Sequence, residues 1–161
     1  MRSLGLDIGN KRTGVAISDP EGILAFPLTV ITNNNEDATI DDIVRLAEEY
    51  EIERIVIGLP YSLDGNIGPQ AKKVRVFTGK LSLRVDALSQ GSDRSEESAK
   101  DQPNNLKQID IQFWDERLST IAADKLMVEA GMKRNKRKEQ RDAMAAAFIL
   151  QGFLDSRRPE L

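Results

Sequence analysis

The sequence predicts a single α/β domain built on a mixed sheet, on three observations. Its 161 residues suffice for one domain and leave little room for a second. The first thirty or so residues read as short strands joined by turns, with no helical periodicity among them. Beyond that point helical and strand patterns alternate to the end of the chain. An antiparallel meander followed by alternating helices and strands implies one mixed sheet with helices packed against it.

Leu4-Gly5-Leu6-Asp7-Ile8 alternates, with the large apolar residues on one face and Gly5 and Asp7 on the other, as in a strand. Gly9 to Arg12 is a turn, and Thr13 to Ser18 is the returning strand of a hairpin. Asp19-Pro20-Glu21-Gly22 turns the chain into a third strand within Ile23–Val30. Asn33 to Asp37 is polar loop. Ile40, Ile43, Val44, Ala47 and Tyr50 then follow helical spacing, with Asp41 and Asp42 towards the positive N-terminal end. Arg54 to Leu59 is a short apolar strand covered on both faces.

A loop from Pro60 to Pro69 leads into a helix from about Gln70 towards Leu81. Residues 86–107 are polar and Ser-rich, and read as a flexible insertion or long loop. Ile109, Ile111 and Phe113 alternate into Trp114, a fifth strand ending at Asp115-Glu116-Arg117. Thr120 to Ala130 is a helix stopped by Gly131, and Asp142 to Leu154 is the last helix. The order is βββ-α-β-α-β-α-α, without an internal repeat.

The chain contains no Cys and no His. That excludes disulfides, thiol nucleophiles, thiolate zinc sites, Ser-His pairs and imidazole bases. Catalysis must rest on carboxylates, Lys, Arg, hydroxyls or backbone groups. Carboxylates with water select hard cations such as Mg²⁺ or Mn²⁺. No apolar run approaches a membrane span, and MRSLGLDIGN lacks a signal-peptide pattern, so a cytoplasmic location is expected. The net charge of −3 is a weak argument against a large nonspecific nucleic-acid surface. Its distribution says more: Lys133, Arg134, Lys136, Arg137, Lys138 and Arg141 form a basic run opposed only by Glu139.

Three acidic positions stand out. An isolated Asp before Gly at a strand end more often turns the chain, but Asp7 interrupts the apolar pattern of a central strand. A carboxylate there is costly unless paired or metal-bound. Gly5 and Gly9 flank it, leaving room for a ligand's backbone, and Lys11 or Arg12 could reach a phosphate. Asp115 and Glu116 end the fifth strand, where ligands gather in α/β sheets, with Arg117 beside them. Asp142 sits on the edge of the face carrying Ala145, Ala146 and Ile149. It either complements the helix dipole in a first turn or serves a metal. Ala143, Ala145, Ala146 and Ala147 would let this helix approach the sheet and bring Asp142 near Asp7. Converging carboxylates suit one or two Mg²⁺ ions in phosphodiester cleavage, and Lys136, Arg137 and Lys138 would grip the backbone.

LGLDIGNKRTGVAISD, GLPYSLDGNIG, DERLST and DAMAAAFILQGFL, in this order, resemble the YqgF/RuvX family over roughly residues 1–80 and 108–154. These are RNase H-like proteins, similar to Holliday-junction resolvases and described as pre-16S rRNA nucleases. The resemblance implies an RNase H-like five-stranded mixed sheet spanning 1–161 as one nuclease domain. It matches Asp7 to the first-strand catalytic acid, Asp115 or Glu116 to the second, and Asp142 to the acid of the last helix. It also implies Mg²⁺ or Mn²⁺, a structured RNA or branched DNA substrate, and processing of the 5′ end of pre-16S rRNA in ribosome maturation. The stretch 86–107 is longer than the family's usual connection before DER.

Two other classes compete with a nuclease, which would be monomer or homodimer. The first hairpin also resembles the phosphate loop of sugar kinases and related ATPases, but those need two lobes closing on a nucleotide, and 161 residues cannot supply both. A non-catalytic RNA-binding assembly factor would need the basic run and not all three acids.

Overall fold

The computed structural model describes residues 1–60, 68–90, 108–115 and 134–157, with the side chains of Gln90 and of 134–139 left aside. The described elements are β1 (Ser3–Ile8), β2 (Arg12–Ser18), β3 (Ala25–Thr32), α1 (Glu36–Glu49), β4 (Arg54–Leu59), α2 (Pro69–Gln90), β5 (Asp110–Asp115) and α3 (Arg134–Ser156). The helix expected over Thr120–Ala130 lies outside the described residues.

The five strands form one sheet in the order β3-β2-β1-β4-β5. β1 and β2, and β2 and β3, pair antiparallel; β4 pairs parallel with both β1 and β5. This is the mixed sheet the sequence predicts, with β1 at its centre.

Four boundaries differ from expectation, each for a local reason. β3 starts at Ala25 because the preceding turn is longer than four residues. The Asp19 carboxylate accepts the Ile23 and Leu24 amides at 2.7 and 3.2 Å, and Gly22 takes φ +74°. α1 starts at Glu36, inside the stretch read as loop, because Asn35 caps it by accepting the Ala38 amide at 2.8 Å. Glu36 and Asp37 therefore occupy its first turn, while Asp41 and Asp42 sit further in and pair with Arg84 and Arg45.

α2 runs on to Gln90, so the first residues of the supposed insertion are helical. Ala71, Val74, Phe77, Leu81 and Val85 continue a three-to-four-residue apolar stripe, and Leu88 extends it onto the core. α3 begins at Arg134, so most of the basic run is the start of this helix and not a separate segment.

The sheet has two unlike faces. Leu4, Leu6, Val15, Ile55, Ile57 and Leu59 point to one, under α1 and α2, in the larger core. Ala16 and Val56 point to the other and meet Ala146, Ala147, Ile149, Leu150 and Phe153 of α3. Gln151 clamps α3 to the start of β3, accepting from the Ala25 amide and donating to the Ile23 carbonyl, both at 2.9 Å. Trp114 meets Phe153 edge-on at 6.1 Å beside Gly152, closing the far side of this second core.

Candidate active site

Asp7 belongs to the α3 face of β1. Its neighbour two residues back, Gly5, pairs with Ala16 and Val56, which both line the second core. Directly across from Asp7 on β2 is Gly14. A Cβ at Gly14 would fall 1.8 Å from the Asp142 carbonyl oxygen, so the backbone of α3 at Asp142 rests on this glycine. Cross-strand partners point the same way. Asp7 therefore lies beside the place where Asp142 crosses the sheet.

The start of α3 removes the first-turn reading of Asp142. With α3 starting at Arg134, Asp142 sits in its third turn, beyond the reach of the N-terminal dipole. Its local partner is Arg12, two residues before Gly14 on the same face of β2, with Nε 3.0 Å from Asp142 Oδ2. That N–H is not aimed at the oxygen, and Oδ2 is buried without a hydrogen bond among the described residues. The contact is an ion pair by distance only, and among the described residues no donor is aimed at Oδ2.

Glycine and alanine make this approach possible. A Cβ at Gly5 would stand 2.8 Å from Leu150 Cβ and 3.0 Å from the Ala146 carbonyl oxygen. The surface beside Asp7 at Gly5 is thus occupied by α3 and not open to a ligand, contrary to expectation. Gly9 is also committed: its amide donates to the Arg12 carbonyl at 2.9 Å, and a Cβ there would meet that oxygen at 2.7 Å.

The β1–β2 turn is held by a residue of the polar stretch after β3. Asn33 donates to the Gly9 carbonyl and accepts from Thr13 Oγ1, each at 2.9 Å, and its own amide donates to the Lys11 carbonyl at 2.8 Å. Thr39 Oγ1 of α1 donates to the same Asn33 oxygen at 3.4 Å. Lys11 itself is exposed at the tip. Asn33 lies outside every motif quoted above, and Gly14 is one residue of the first. A small residue opposite the suspect acid was the sole available signal for Gly14.

Asp115 is placed differently. Its partner on β4 is Leu59, which lies in the core under α1 and α2, whereas Trp114 packs into the α3 core. Strand alternation puts Asp115 on the face opposite Asp7. Among the described residues no three acids are grouped closely enough to hold a metal ion. Glu116 and Arg117 lie outside the described residues. Lys136, Arg137 and Lys138 lie on the first turns of α3, and the site-ward end of the basic run, Arg141, is exposed next to Asp142.

Comparison with known proteins places the chain in a family. A family model described as "RuvX: Holliday junction resolvase" matches residues 1–156. A Clostridium kluyveri protein named "Putative pre-16S rRNA nuclease" is 42% identical over 155 residues, covering 96% of this chain and 97% of its own. One of the same name from Desulforamulus reducens is 39% identical over 156 residues, covering 97% and 98%. The structure of Thermus thermophilus RuvC in complex with a Holliday junction substrate aligns at TM-score 0.54 and 16% identity, over 98% of this chain and 95% of that one. That likeness shows the RNase H-like fold of resolvases of this type. By the family match and these relatives, the chain belongs to the RuvX (YqgF) family.

Proposed function

We propose that this protein is a metal-dependent endonuclease that hydrolyses phosphodiester bonds in precursor rRNA, maturing the 5′ end of 16S rRNA. The observation that carries it is the seating of Asp142 on Gly14 directly across from Asp7, with Arg12 alongside. The names of the relatives supply the substrate.

The residues present fit a hard divalent cation. Asp142 offers a buried oxygen lacking a hydrogen bond among the described residues, Asp7 stands on the same face, and the chain has no His or Cys to favour a softer metal. Because Asp115 faces the other way, Glu116 is the acid of the DER motif that would join Asp7 and Asp142. Asp7, Glu116 and Asp142 would then hold Mg²⁺ or Mn²⁺, which when bound lowers the pKa of water and offsets charge on the leaving oxygen.

The chain's own groups do the rest. Arg12 is released from Asp142 to orient a phosphate oxygen, and Lys11, Arg117 and the basic start of α3 hold the flanking backbone. Water adds to phosphorus and the sugar oxygen leaves, giving a phosphomonoester and a free hydroxyl. No described helix is long and apolar enough to cross a membrane; the site of action proposed is the cytoplasm, with the assembling ribosome.

The test is a cleavage assay with Mg²⁺ and Mn²⁺ on structured precursor RNA and on four-way junction DNA, wild type beside Asp7→Asn. RNA cut by the wild type alone is the expected result; equal cutting by both proteins sinks the assignment of Asp7. The family description favours one second reading, a junction resolvase. That activity requires two sites on a homodimer, so preferential cutting of the junction by a dimer would select it. Specific RNA binding without any cutting would instead support an assembly factor.

A further inference from the structure

On the other side of β1 from Asp7, the chain leaves a cavity of about 520 Å³ between the start of α1, the start of α2 and the β1–β2 turn. Ile8 and Gly9, the two residues after Asp7, form part of its wall. The volume is within the range of roughly 300–1,000 Å³ that takes a small ligand.

Its lining has three chemistries. Ile8, Val76 and Phe77 give an apolar wall, and Val76 is 59% exposed although it faces this space. Asn10 carries no hydrogen bond among the described residues. Gln70 spends its Nε2 on the Ile8 carbonyl at 3.3 Å, which leaves its Oε1 as an acceptor. Lys72 and Lys73 stand exposed at the rim with no acidic partner among the described residues. The one acid in the lining, Glu36, is engaged by Lys80 at 2.6 Å, so the rim is net positive.

An apolar wall with amide donors and acceptors suits a nucleobase, and adjacent unpaired cations suit its phosphates. A base paired in a duplex presents neither its face nor its pairing edge to such a recess. We propose that this cavity holds one unpaired nucleotide of the RNA strand flanking the phosphate that Asp7 addresses. The assignment rests on the nucleolytic reading for its position along the strand. It makes the enzyme selective for a single-stranded or unpaired step at the cut, with Lys72 and Lys73 on the backbone and Asn10, Gln70 and Val76 on the base.

Binding separates this inference from the nuclease assignment. The wild type in EDTA, the Lys72→Ala/Lys73→Ala double variant and Asn10→Ala are titrated by fluorescence anisotropy. The probes are a single-stranded RNA, the same RNA fully paired, and free AMP. Each phosphate contact on a single strand contributes about 0.7 to the slope of log affinity against log salt, so the double variant should lose about 1.4. Duplex binding should not change. A 2-aminopurine in the single strand should change its fluorescence on binding wild type and change less with Asn10→Ala.

An unchanged slope, or an equal loss on the duplex, overturns the inference. AMP binding as tight as the strand also overturns it and makes the cavity a mononucleotide site. A protein that cuts RNA yet shows no slope change keeps its nuclease assignment and loses this one. A protein with the expected slope change that never cuts does the reverse.

Discussion

The two faces of the sheet are built on opposite rules. Under α1 and α2 the strands present Leu4, Leu6, Ile55, Ile57 and Leu59, and the helices stand off at the distance large side chains dictate. Under α3 they present Gly5, Gly14 and Ala16, and the helix backbone rests on the strands. The first face maximises buried apolar area. The second gives up that area for proximity, and Asp7, Asp142 and Arg12 are found there. Gly14 lets the helix backbone at Asp142 come down on the strand directly across from Asp7.

The largest test of that contrast is chemical. Asp7→Asn keeps the shape of the α3 face and removes its charge, so thermal stability should hold while Mg²⁺-dependent cleavage falls. The loss should exceed about 100-fold, beyond what outer-shell changes cost in metal sites. A mutant that melts early and cuts in proportion to its folded fraction would instead make Asp7 structural.

Next comes a matched pair of packing variants. Leu6→Ala empties a fully buried position on the broad face and should cost roughly 2–5 kcal/mol. Activity per folded molecule should survive. Gly14→Ala drives a methyl group to 1.8 Å from the Asp142 carbonyl oxygen, which cannot stand, so α3 must lift. The cost should be about 3 kcal/mol or more, at the upper end of overpacking. Here activity per folded molecule should also collapse, because the lift separates Asp142 from Asp7. Urea unfolding read beside single-turnover cleavage distinguishes the two, and equal retention of activity would refute the role given to Gly14.

Arg12 tests the face at finer grain. It is 39% exposed and its partner Asp142 25%, so the ion pair should stabilise the fold by less than about 1 kcal/mol. Its effect on metal should be clearer, since the guanidinium competes for Asp142. In Arg12→Ala the Mg²⁺ midpoint, read from the rise in melting temperature with added metal, should fall about fivefold, the equivalent of roughly 1 kcal/mol. Cleavage at saturating Mg²⁺ should drop as phosphate positioning is lost. A midpoint that rises would mean that Arg12 assists the metal site.

The broad face was largely legible in the sequence and the narrow face only in part. Strand alternation through Leu4, Leu6 and Ile8 and the run Arg54–Leu59 placed the sheet correctly, because burial of large side chains leaves a period. Asp7 is legible as a charge interrupting an apolar strand, and Asp142 as one on the edge of an apolar helix face. Gly14 was not, because a glycine's function in close approach leaves no periodic signal and depends on what crosses it. The start of α1 and the end of α2 differ from expectation because polar composition misleads at both: Asn35 caps a stretch that reads as loop, and Leu88 carries a helix into Ser-rich sequence. The orientation of Asp115 needed the register with Leu59, which alternation within β5 alone does not supply.

The smallest effect lies at the other end of α3, where the narrow face is anchored instead of active. The Asp19 carboxylate holds the Ile23 amide at 2.7 Å while Gln151 of α3 holds the Ile23 carbonyl at 2.9 Å, so one residue is gripped from both sides. The backbone amides, Ile23 first, lower the pKa of Asp19 below its ordinary 3.8 against an opposing desolvation effect. A depressed carboxyl pKa stabilises the fold above the unfolded value, and the gain disappears as pH falls through the folded one. Asp19→Asn should therefore melt slightly below wild type at neutral pH. The two curves should converge in acid only as the pH falls through the folded pKa, below 3.8, where the Asp19 carboxyl is neutral in both states. Cleavage at neutral pH should be unaffected, since the turn lies at the opposite end of β2 from Arg12 and Gly14. A melting difference that persists unchanged into acid would show that the turn depends on the shape of Asp19 and not on its charge.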